Sequence, residues 1–131
     1  RKEKILLIGV DDSSSVGPRL HKEFVANVLP AALRAERTVV VTFDQVLREE
    51  IHTTKPKDVL RQLKFLAGAH SYTSAKPVFE VADRVKPTAI VILTDGFVEL
   101  PNKTYNNTLW CIPINGKKQP WGRNYVMDIS W

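Results

Sequence analysis

Apolar residues along the chain fall into two kinds of pattern: unbroken runs of strand length, and stripes at helical spacing. Ile5 to Val10 is such a run, Thr38 to Phe43 and Ala89 to Thr94 repeat it, and Leu109 to Ile114 does so more weakly. Runs without polar alternation suit strands buried on both faces, as in a parallel sheet covered by helices. Between them, Gly17 to about Ala35 carries Leu20, Phe24, Val28 and Leu29 as a helical stripe, with Pro18 suited to a first turn. Pro30 lacks an amide donor and is expected to end or kink that helix. Lys57 to Leu66 puts Val59, Leu60, Leu63 and Leu66 on one face. Pro77 to Val85 does the same with Val78, Val81, Ala82 and Val85.

Val46 to His52 follows Phe43 too closely for a crossover helix, so it must form a hairpin with the preceding strand. It should be an antiparallel edge strand, with Arg48, Glu49 and Glu50 supplying the charges that protect such edges. Tyr125 to Ile129 reads as a last strand. The order β-α-β-β-α-α-β-β-β predicts an α/β fold: a doubly wound, mostly parallel central sheet, helices on both faces and one antiparallel edge strand. No repeat, linker or low-complexity tract divides residues 1–131, so one domain is expected.

Composition is close to that of an ordinary globular domain, which sets aside collagen-like, disordered and disulfide-scaffold classes. The one cysteine, Cys111, cannot form an internal disulfide, which favours a reducing, cytoplasmic setting. No apolar run reaches the roughly 18 residues that cross a bilayer. The chain starts at Arg1 and not at Met, and the expectation is a domain cut from a longer protein. A net charge of +5 admits nucleic acid as a partner. The candidate patch is Lys57, Arg61 and Lys64 on the second helix, with Lys117 and Lys118 near the end. The plainer reading is the solvated side of an amphipathic helix.

In open α/β sheets, sites lie at the carboxyl ends of the strands. The first strand runs into Asp11-Asp12-Ser13-Ser14-Ser15 and the fourth into Thr94-Asp95-Gly96. Two aspartates delivered to one edge repel unless protonated or bridged by a cation. Hydroxyls at Ser13 and Ser15 add oxygen donors of the hard type that Mg2+, Mn2+ or Ca2+ prefers.

Asp11-x-Ser13-x-Ser15 after an apolar strand resembles the metal-ion-dependent adhesion site of von Willebrand factor A (VWA) domains. Thr73 and Asp95 match that family's later threonine and aspartate in order and approximate spacing. Tyr72-Thr73-Ser74-Ala75-Lys76-Pro77-Val78-Phe79-Glu80 is similar to a loop of bacterial and phage VWA-like domains that accompany a metallopeptidase-like region. Pro120-Trp121-Gly122-Arg123 also matches that subfamily, and the resemblance covers nearly the whole chain. It implies a non-enzymatic, divalent-metal-dependent protein-interaction domain. Ser13 and Ser15 would bind metal directly, Thr73 directly or through water, and Asp11 and Asp95 would mainly hold metal-bound waters. A carboxylate from a partner, or from another domain of the parent chain, would complete the octahedron. Asp12, Ser14, His70, Tyr72, Ser74 and Gly96 form the periphery. Tyr72 stands where related loops carry Gly, and Ser74 where they carry Asp. The simplest rival is that these residues only cap helices and shape turns, leaving a VWA scaffold with an empty site.

Other chemistries lack their residues. Phosphoacceptor chemistry would need Asp44, which leads straight into the hairpin, and a haloacid-dehalogenase nucleophile needs an Asp where Ser13 stands. There is no Gly-x-Ser-x-Gly elbow, no His-Glu-x-x-His pair and no phosphate-binding loop. Asn102 and Asn106 begin glycosylation-type triplets that read as polar loop, and Trp110, Trp121 and Trp131 read as packing aromatics.

Overall fold

The computed structural model describes residues 2–12, 18–63 and 73–130. The apolar runs form strands β1 (Ile5–Asp11), β2 (Arg37–Phe43), β4 (Ala89–Leu93) and β5 (Thr108–Pro113). The hairpin partner is β3 (Leu47–Thr53), and the last strand is β6 (Arg123–Met127). Among the described residues these six make one sheet in the order β3-β2-β1-β4-β5-β6. Every pairing is parallel except β2 with β3, which is antiparallel at the sheet edge. The expected α/β architecture is therefore present, edge strand included.

Side-chain alternation along β1 divides the interior into two cores. Leu6, Ile8 and Val10 face helix α1 (Pro18–Arg34), which contributes Leu20, Phe24, Val25, Val28 and Ala32, and helix α2 (Pro56–Arg61), which contributes Leu60. Ile5 and Leu7 face the other way, onto Val78, Phe79, Val81 and Ala82 of helix α3 (Lys76–Val85). Gly9 lies on that second face, where an added Cβ would stand 3.0 Å from Val78 Cγ2. The missing side chain is what lets α3 approach the sheet. Phe79 also joins Tyr105, Trp110 and Trp121 in an aromatic cluster, with centroids 4.5 Å from Phe79 to Tyr105 and 5.4 Å from Trp110 to Trp121. The Trp110 indole N–H donates to the Trp121 carbonyl at 3.0 Å. Trp110 and Trp121 thus serve packing, as expected; Trp131 lies outside the described residues.

Three local expectations change in detail. Of the end or kink expected at Pro30, the end does not occur, since α1 continues to Arg34. The proline sits on the exposed side of the helix, where the carbonyl it leaves without an intrahelical donor can be hydrated. Helix α2 stops at Arg61, short of Leu63. Strand β6 lies two residues earlier than Tyr125 to Ile129. Among the described residues no helix is long and apolar enough to cross a membrane.

Candidate metal centre

The chain lays β2 and β3 on one side of β1 and then crosses to lay β4, β5 and β6 on the other. The strand order therefore reverses between β1 and β4. At such a reversal the connections leave in opposite directions and open a crevice at the carboxyl edge, where ligands of this architecture bind. Asp11 ends β1 there, and Asp95 follows β4 by two residues. Val10 pairs with Leu93, so the next residues, Asp11 and Thr94, stand side by side. The Thr94 hydroxyl donates to Asp11 Oδ2 at 2.8 Å, which orients a carboxylate that is fully buried. Asp12 is also buried, and its backbone N–H donates to the Phe43 carbonyl at 2.9 Å, tying the end of β1 to the end of β2.

Thr73 reaches the same edge through a crossing segment. Ser74 N donates to the Asp44 carbonyl just past β2, at 2.8 Å. On the far side, Glu99 N donates to the Thr73 carbonyl and Ala75 N to the Glu99 carbonyl, each at 2.9 Å. Thr73 to Ala75 is thus strung from the end of β2 to the loop after β4. The carboxyl end of β1 lies between those anchors, so the segment passes Asp11. Thr73 is buried there.

A third loop fixes Asp95. Lys117 N donates to the Asp95 carbonyl at 2.8 Å. The Gln119 side-chain amide, itself buried, donates to the carbonyls of Gly96 at 2.8 Å and Lys117 at 2.9 Å. Gly96 has φ of +90°, and an added Cβ would stand 1.9 Å from the Lys117 carbonyl oxygen. No other residue fits this backbone without parting the two loops. The Asp95 carboxylate accepts from Phe97 N at 3.0 Å in an Asx turn and remains partly exposed.

Asp11, Thr73 and Asp95 are thus brought to one edge, with Asp12, Ser74 and Gly96 beside them. Ser13, Ser14, Ser15, His70 and Tyr72 lie outside the described residues. Ser74 has the plain structural role weighed from sequence: its hydroxyl accepts from Lys76 N at 3.2 Å in the first turn of α3 and donates to Glu99 at 3.1 Å. The donors placed at the crevice are carboxylate and hydroxyl oxygens, a set that fits a hard divalent cation and not a thiophilic one. Among the described residues no group of three or more His, Cys, Asp and Glu is placed to hold a metal ion.

Two neighbours were not assigned to this edge from sequence, although Asp44 was considered as a phosphoacceptor. Asp44, past β2, is buried, and Arg48 of β3 donates to its Oδ2 through Nε at 3.0 Å and through Nη2. Burial pushes the Asp44 carboxyl upward, but hydrogen bonds from Arg48 and Val46 N–H, with the Arg48 charge, outweigh it and hold it below the ordinary value. The carboxylate of Asp44, and to a lesser degree that of Asp12, keeps the Arg48 guanidinium protonated. The signal for Asp44 was present, because Thr42-Phe43-Asp44 ends a buried strand much as Val10-Asp11 does. Gln119 carried no such signal.

The basic residues do not form one stripe. Lys57 and Arg61 are exposed on α2, which packs on α1 near β2 and β3, whereas Lys117 and Lys118 are exposed past β5. Two strands, β1 and β4, separate those flanks. Lys64 lies outside the described residues.

A search of curated proteins returns no match to the chain. The family model described as a VWA-like domain (DUF2201) matches residues 6–128. Matched by that model over nearly its whole length, the chain belongs to the VWA-like domain family.

Proposed function

We propose that this VWA-like domain is a non-enzymatic interaction module. It binds Mg2+, or Mn2+ or Ca2+ in its place, at the β1–β4 crevice and captures an acidic side chain of a protein partner or of another domain of its parent chain. The observation that carries this reading is the convergence of Asp11, Thr73 and Asp95 at the reversal of strand order, with Thr94 orienting the Asp11 carboxylate. Ser13 and Ser15 would be direct ligands, Thr73 a direct or water-bridged one, and Asp11 and Asp95 would hold coordinated waters by accepting hydrogen bonds. The bound cation would supply Lewis acidity toward an incoming carboxylate. Few formal charges among neutral hydroxyls would leave the ion short of negative charge, which favours an anionic partner group. The buried lone thiol, Cys111, fits a reducing, cytoplasmic setting.

Calorimetric titration with Mg2+ and Mn2+ tests the reading. Wild type should bind, and Asp11→Ala should not. Because Asp11 is buried and hydrogen-bonded, Asp95→Ala, at a partly exposed position, is the companion variant and should bind more weakly with its circular dichroism spectrum unchanged. Absence of binding by wild type, or equal binding by folded Asp11→Ala and Asp95→Ala, overturns it.

A further inference from the structure

The loops that fix Asp95 also build an apolar and basic rim beside the crevice. Phe97 is 64% exposed and Ile114 57% exposed, whereas Phe24, Phe43 and Phe79 are all buried in the two cores. Phe97 stands two residues from Asp95 in the chain, and its N–H is bound to the Asp95 carboxylate. Ile114 opens the loop after β5, which returns to Asp95 through Lys117 N. Both backbones are held: Gln119 binds the Gly96 and Lys117 carbonyls, and Ile114 N donates to the Ile129 carbonyl at 3.0 Å. Lys117 and Lys118 are exposed on the same loop. Large apolar side chains shown to solvent on a hydrogen-bonded backbone are prepaid for contact, because little is left to order on binding.

We propose that Phe97, Ile114, Lys117 and Lys118 select the segment whose carboxylate enters the site: an acidic peptide with a large apolar residue beside the metal-seeking Asp or Glu and a second acidic residue close by. This rests on the metal-dependent reading above and adds a specificity to it. The apolar neighbour packs on Phe97 and Ile114, and the second acidic residue meets the two lysines. A peptide is favoured over a nucleic acid because the Lys57/Arg61 and Lys117/Lys118 flanks are separated by β1 and β4, so among the described residues they make no continuous basic track for a phosphate backbone.

The test is fluorescence anisotropy with labelled short peptides in Mg2+. Each has a central Asp, flanked by Leu and Glu, by Ser and Glu, or by Leu and Lys; a labelled oligothymidylate is the fourth probe. The Leu/Glu peptide should bind about tenfold more tightly than the Ser/Glu peptide, the worth of one buried apolar side chain. Its advantage over the Leu/Lys peptide should shrink with salt. The double variant Phe97→Ser/Ile114→Ser should lose the Leu preference and keep EDTA-sensitive binding of the Asp peptides. Lys117→Glu/Lys118→Glu should invert the Glu-over-Lys preference. All four positions are exposed, so these variants should fold. EDTA-sensitive binding with no preference among peptides, or a preference that survives the variants, overturns the rim while leaving the metal site standing. If no peptide responds to EDTA, the metal reading fails and the rim with it. Tightest binding of the oligonucleotide, unaffected by EDTA, overturns both in favour of phosphate recognition.

Discussion

Replacing Gly96 with alanine tests whether the stitched loops are what position Asp95. At φ of +90° an L-residue is strained by about 1–3 kcal/mol. The added Cβ would also meet the Lys117 carbonyl oxygen at 1.9 Å and its carbon at 2.8 Å, and neither can rotate aside because both are backbone. The loops after β4 and β5 would have to separate. That breaks the Gln119 hydrogen bond to the Gly96 carbonyl and the one from Lys117 N to the Asp95 carbonyl, at about 1 kcal/mol each. The expected loss is about 3–5 kcal/mol, or a fall in Tm of roughly 10–20 °C. Urea unfolding followed by circular dichroism measures the first quantity, and a Mn2+ titration of the folded variant should show weakened affinity. Gly122→Ala is the comparator. It too has positive φ, at +75°, with its Cβ 2.8 Å from the Thr108 carbonyl, but it lies at the amino ends of β5 and β6, opposite the crevice. It should cost stability without changing metal affinity in the folded fraction. A loss below about 1 kcal/mol for Gly96→Ala, with affinity unchanged, would show that Asp95 does not depend on these loops.

Two further outcomes follow from buried titratable groups. The Asp44 carboxyl lies below its ordinary value of 3.8 in the folded protein, so it contributes stability that is present above pH 3.8 and lost as pH falls through the lower folded value. Arg48→Met should therefore destabilise the protein at neutral pH, with the gap to wild type closing below pH 3.8; a constant gap in urea midpoints across that range would refute the pairing. Burial pushes the Cys111 thiol up to about 12. A disulfide reagent at mildly alkaline pH should label it only as the chain unfolds, and rapid labelling of the native protein would contradict its burial.

The elements and the sheet class were legible because burial on two faces writes itself into short apolar runs such as Ile5 to Val10 and Ala89 to Leu93. The edge strand was legible from the short Asp44 to Val46 connection, which leaves no room for a crossover. Pro30 was read as an end or a kink, and α1 runs past it: the proline is exposed, so the carbonyl it leaves without a donor meets water, and exposure is not a local property. The candidate site was legible at Asp11, which ends β1, at Asp95, just past β4, and at Thr73 through family resemblance. It was not legible at Gln119, because a buried amide that bridges two carbonyls looks in sequence like any polar loop residue. Arg48 was read as an edge charge, yet it also holds Asp44.

The sequence by itself determined which segments are strands and helices, that the sheet is mostly parallel, and that aspartates stand at the carboxyl ends of β1 and β4. These follow from periodicity and chain connectivity, which act over a few residues. Only the tertiary structure decided the contacts across that edge, where Thr94 reaches Asp11 over 83 positions of chain. It alone decided that Thr73 is strung between Asp44 and Glu99, and that Phe97 and Ile114 are left in solvent beside the crevice. Those arrangements depend on which distant strand ends and loops meet across the sheet edge, as when Ser74 N finds the Asp44 carbonyl and Glu99 N the Thr73 carbonyl, and no local pattern encodes such a meeting.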